Sequence, residues 1–94
     1  MAQNTLTIRL GHGIFFYLNG DQIPDPIGTD GGRYDEFEGG NPLLFYSDII
    51  IWAQNNGITH IIDENLLEMG IRDFDNIETP ITIREYTELA KSFL

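Results

Sequence analysis

Two runs of carboxylates hold most of the groups in this chain that could do chemistry. The first lies in GTDGGRYDEFEGGN (28–41), where Asp30, Asp35, Glu36 and Glu38 stand among five glycines, with Arg33, Tyr34 and Phe37 beside them. The second is DENLLEMGIRDFDNIE (63–78), which carries Asp63, Glu64, Glu68, Asp73, Asp75 and Glu78 against a single Arg72. Acids on a flexible turn suggest calcium, which takes six to eight oxygen ligands. The EF-hand register of alternating acids followed by glycine is absent, however, and so is a recurring glycine-rich calcium repeat. Acids in an array offer a different chemistry, in which carboxylates stand where a basic groove expects phosphates. On an extended segment Asp73 and Asp75 would share a face with side chains about 6.6 Å apart, close to the spacing of phosphates along a strand. A solvated acidic surface that aids solubility is the plainer reading of any one of these acids.

Other chemistries find less support. His12 falls in a predicted hairpin turn and His60 in a predicted strand, and neither belongs to an HExxH or triad-like local pattern. A catalytic or zinc role would need convergent groups, such as His60 with Asp63 or His12 with an acid brought close by folding. The Gly-rich segment lacks the GKS/T of a phosphate loop, and its acids repel phosphate. The chain has no cysteine, which excludes disulfides, thiolate catalysis and cysteine-ligated zinc. No cofactor signature is legible.

Charge sets the class of partner. Fifteen acids face five bases, for a net charge of −10 and a pI near 4.2. Such a field repels nucleic acid and anionic membranes and speeds encounter with basic partners. It also exceeds the magnitude of about 2–8 that solubility asks of a small domain. The longest apolar run, Ile49 to Ala53, is far short of a membrane span, and MAQNTLTIRL is not a signal peptide pattern. A cytoplasmic protein is therefore expected, in one domain over 1–94.

The elements that must position these groups follow from periodicity. TLTIRL (5–10) alternates, with Leu6, Ile8 and Leu10 on one face and Thr5, Thr7 and Arg9 on the other. After GHG, IFFYLNG (14–20) predicts a second strand of an antiparallel hairpin, with Phe15 and Tyr17 on the face of Arg9. Residues 21–41 read as a long irregular acidic loop. Asn41 as cap, Pro42 at the first turn and Gly57 at the end bracket a helix over about 42–56. Leu44 and Ile51 fall on its polar arc, while Trp52 falls on the apolar one. ITHIID (58–63) predicts a third strand, and ENLLEMG one or two helical turns between Asp63 and Gly70. IRDFDNIE is ambiguous between loop and edge strand. TPITIREYTELAKSFL closes on a helix with Thr82 and Glu85 as capping box and Ile81 and Tyr86 as staple. The expected fold is α+β: a small, largely antiparallel sheet, made of the N-terminal hairpin plus a third strand, packed on two main helices and carrying a long acidic Gly-rich loop.

The expected function is non-enzymatic binding of a basic, nucleic-acid-handling protein surface by Asp30, Tyr34, Asp35, Glu36, Phe37, Glu38, Glu64, Glu68, Asp73, Asp75 and Glu78. Tyr34 and Phe37 would supply apolar anchors, and affinity would fall steeply with salt. In composition alone the chain is similar to phage-encoded inhibitors of host defences, anti-restriction and anti-CRISPR proteins among them. The alternative is a small-ligand or oligomeric structural module that uses the Gly-rich loop and the Phe15, Tyr17 and Arg9 face.

Overall fold

The computed structural model describes residues 3–11, 13–28, 42–68 and 70–91, with the backbone alone for 42–45 and 68. Five strands, β1 (Thr5–Leu10), β2 (Ile14–Leu18), β3 (Asp21–Ile23), β4 (His60–Asp63) and β5 (Ile81–Thr82), form one sheet in the order β3-β2-β1-β4-β5. Among the described residues, helices α1 (Pro42–Asn55), α2 (Asn65–Glu68) and α3 (Ile83–Lys91) join the sheet in an α+β fold. Among the described residues no helix is long and apolar enough to cross a membrane.

The alternation in β1 and β2 places their side chains as expected. Leu6, Ile8 and Phe16 are buried, and Arg9 opposes Phe15 while Thr7 opposes Tyr17 on the other face. The sheet continues past the hairpin. Asn19 and Gly20 both take positive φ, 51° and 91°, and turn β2 directly into β3. Residues 21–23 are therefore a strand rather than the start of an irregular loop. The signal was present: Asn-Gly after an apolar run is the strongest short-range mark of a two-residue hairpin, because both positions must be left-handed. Asn19 also accepts from Thr5 N–H through Oδ1 at 2.8 Å, which fastens the open end of the first hairpin.

The sheet is mixed, not largely antiparallel. β4 runs parallel to β1, with Leu6 opposite Ile61 and Ile8 opposite Asp63. β2 already occupies one side of β1, so the chain returns to its other side after α1, and a parallel neighbour needs such a crossover. β5 then adds antiparallel to β4, pairing Ile81 with Ile61 and Thr82 with His60. These two residues, expected only to cap and staple α3, are a strand as well. Thr82 does cap α3: its hydroxyl oxygen accepts from Glu85 N–H at 3.1 Å and its hydroxyl pairs with Glu85 Oε1 at 3.2 Å.

The core lies between one face of the sheet and the helices. Leu6, Ile8, Phe16 and Ile61 meet Tyr46, Ile49 and Ala53 of α1 and Tyr86 and Ala90 of α3. Spacings of three and four residues along each helix produce these stripes. Tyr46 and Tyr86 pack edge to face with centroids 5.9 Å apart. Trp52 is half-buried against this core, and Ile51 stays 55% exposed on the polar arc of α1. Gly57, at φ 68°, ends α1 in the left-handed conformation that Gly accepts without strain.

Candidate functional site

The strand pattern decides the fate of the carboxylates at the end of β4. Asp63 shares the inward face with Ile61 and is 1% exposed. One oxygen accepts from Asn65 N–H at 2.9 Å and Asn65 Nδ2 at 3.0 Å, which turns the chain into α2. The other accepts from the Tyr86 hydroxyl at 2.6 Å. His60, an odd number of residues away on the strand, faces the other side and meets Thr59 Oγ1 at 2.9 Å. The two do not converge, so a His60–Asp63 acid–base pair is not formed.

Glu64 is committed as well. Its Oε1 accepts from Leu10 N–H at 2.7 Å, and its Oε2 lies 3.2 Å from Arg9 Nη1. Glu78 closes on the same guanidinium with both oxygens, one of them 2.9 Å from Nη2. Arg9 is thus the centre of an ion triplet that ties β1, the end of β4 and the segment before β5. It is not a free cation on the face of Phe15 and Tyr17. Hydrogen bonding to Arg9 holds the Glu78 carboxyl below its usual value, and the two carboxylates hold Arg9 above its own, Glu78 chief among them.

A depressed carboxylate pKa contributes stability that is present above the unfolded value, near 4.5, and is lost as pH falls through the folded one. Glu78 is 58% exposed, so screening keeps the contribution small. Glu78→Gln is expected to lower unfolding free energy at neutral pH by no more than about 1 kcal/mol. In urea titrations the difference should shrink in high salt and close in acid, once Glu78 is protonated in the folded parent too.

Asp73 and Asp75 are differently placed. Their segment is a turn, not an extended strand, so the shared face with a two-residue spacing does not form. Asp73 Oδ1 instead accepts from Asn76 N–H at 3.0 Å and Asn76 Nδ2 at 2.7 Å, and Arg72 Nη2 donates to the Asn76 carbonyl. Ile77, next in the turn, is buried and anchors it. Between the two acids Phe74 is 79% exposed, the most exposed large apolar side chain among the described residues. Charge marks the acids in the sequence, whereas the one sign for Phe74 is that its neighbours Asp73 and Asp75 fit an inward-facing aromatic poorly.

Of the remaining expected residues, Asp30, Tyr34, Asp35, Glu36, Phe37 and Glu38 lie outside the described residues, as does the side chain of Glu68. The calcium reading rests on Asp30, Asp35, Glu36 and Glu38 and lies outside the described residues with them. Among the described residues no three His, Asp or Glu side chains are placed to hold a metal ion. The structure thus divides the second acidic run. Asp63 is in the core, Glu64 and Glu78 are paired with Arg9, and Asp73 and Asp75 flank an exposed aromatic. No protein-family model, no curated protein and no solved structure matches the chain.

Proposed function

We propose that the chain is a non-enzymatic protein-binding module that docks an acidic surface onto the basic patch of a partner, as an inhibitor of a nucleic-acid-binding surface would. Exposed Phe74, held between Asp73 and Asp75 in a braced turn, carries this reading. Charge speeds encounter and sets register, but affinity comes from a few buried aromatic or cationic anchors. An aromatic ringed by carboxylates supplies both. Because the turn is braced by its own hydrogen bonds, little ordering is left to be done on binding. The net charge of −10 supports a partner of opposite sign and opposes direct contact with nucleic acid or an anionic membrane. A cytoplasmic setting belongs to the same reading.

Affinity capture with tagged protein from a nuclease-treated lysate, washed at low and high salt, tests it. The expected result is a basic protein retained at low salt and released at high salt, whose nucleic-acid binding the purified chain then blocks. Capture of nothing but the chain itself would sink the reading. So would a retained partner that still binds nucleic acid with the chain in saturating amount.

A further inference from the structure

The molecule carries a second feature beside the Phe74 knob. A cleft of about 470 Å³ opens between the turn and α3, lined by Arg72, Ile81, Arg84, Glu85, Glu88 and Leu89. Its floor is apolar. In a chain with only five bases, two of them stand on this rim. Of the carboxylates that line it among the described residues, Glu88 is paired with Lys91 Nζ at 3.4 Å, while Glu85 holds the cap with Thr82 and keeps its negative charge. Among the described residues Arg84 has no carboxylate partner and is exposed. Arg72 uses one nitrogen on Asn76, and a guanidinium has five N–H donors. What fits is an apolar ring flanked by carboxylates.

We infer that the occupant is Phe74 of a second copy of this chain, with Asp73 and Asp75 reaching Arg72 and Arg84 on the rim. Knob and cleft are neighbours on one surface, since Phe74 follows Arg72 by two residues. A two-fold axis between them seats each Phe74 in the other copy's cleft, and this is the self-complementary geometry of an isologous dimer. Phe74 cannot be filling its own cleft, because it is 79% exposed. The net charge of −10 on each copy opposes the pairing at long range, so the dimer belongs to concentrated protein and screening salt. It goes beyond the partner reading and does not depend on it. Covering Phe74 makes the dimer and the partner complex exclude each other.

The test is sedimentation velocity at about 0.1 mM protein and about 0.5 M NaCl, where charge repulsion is screened within a few ångströms. A species of twice the 10.7 kDa monomer mass is expected. Phe74→Ala and Arg84→Glu, both at exposed positions, should each weaken the dimer at least about tenfold, as loss of an interface anchor does. Because the chain has no cysteine, Asp75→Cys and Arg84→Cys variants can be mixed and oxidised, and the cross-linked heterodimer should form faster than either homodimer. Monomer mass throughout overturns the dimer and leaves the partner complex standing. A dimer indifferent to both substitutions, or cross-linking without preference, overturns this interface.

Discussion

Asp63→Ala is expected to cost about 3–5 kcal/mol of folding stability, because it strands several buried donors at once. A domain of this size has only about 5–14 kcal/mol to lose. The carboxylate is 1% exposed and receives the Tyr86 hydroxyl, the Asn65 amide N–H and the Asn65 side-chain amide. These partners belong to different elements, so the one group joins β4, the start of α2 and α3. Alanine removes the carboxylate that all three donors share and leaves a void in its place. Tyr86→Phe removes one charge-assisted bond and keeps the Asn65 pair, so its loss should be smaller, about 1.5–3 kcal/mol. Each kcal/mol lowers the melting temperature of a domain this size by roughly 4–8 °C. The double variant Asp63→Leu with Tyr86→Phe should cost less than the sum of its parts, since neither side of that bond is then orphaned. Urea titrations of the set measure this. An Asp63→Ala protein within about 1 kcal/mol of the parent would show that water or a shifted side chain replaces the carboxylate.

The network explains what the sequence could and could not disclose. Period-two alternation located β1 and β2 and assigned their faces, because a one-residue slip would expose Leu6, Ile8 and Phe16 together. Local capping chemistry located both ends of α1 and the start of α3, since Pro42, Gly57, Thr82 and Glu85 act within one turn of their own positions. The direction of β4 was not local. β2 leaves one edge of β1 free, which fixes where β4 adds, and the return of the chain through α1 fixes its direction. The role of each acid was not local either. Arg9 gathers Glu64 and Glu78 from 55 and 69 residues away, so two acids that composition marks as surplus charge are spent on the fold. Asp63 reads as one more member of an acidic run until β4 turns it inward toward Tyr86. Composition could therefore suggest an acidic surface, but only the fold separates Asp75, beside an exposed Phe74, from acids that hold the molecule together, Asp73 among them through its bonds to Asn76.

That separation makes Phe74→Ala the sharpest functional prediction. Loss of a central aromatic anchor typically weakens an interface by about 2–4 kcal/mol, so affinity for the captured basic partner should fall roughly 30- to 1,000-fold. Stability should hold within about 0.5 kcal/mol, because the ring is 79% exposed and little of it is buried in the fold. The loss should appear chiefly as faster dissociation, since contacts made after encounter govern the off-rate. Asp75→Lys should act on the other half of the process. It reverses a charge beside the anchor and leaves the Asp73 brace to Asn76 intact, so association should slow, and more so at low salt. Surface plasmon resonance on the purified pair separates the two rates. If Phe74→Ala binds as tightly as the parent while Asp75→Lys is slowed, charge alone makes the complex and the anchor lies elsewhere on the chain. If neither changes, the braced turn is not the docking surface. The reading then passes to the first acidic run, where Tyr34 and Phe37 stand among Asp30, Asp35, Glu36 and Glu38 with the same pairing of aromatic and carboxylate.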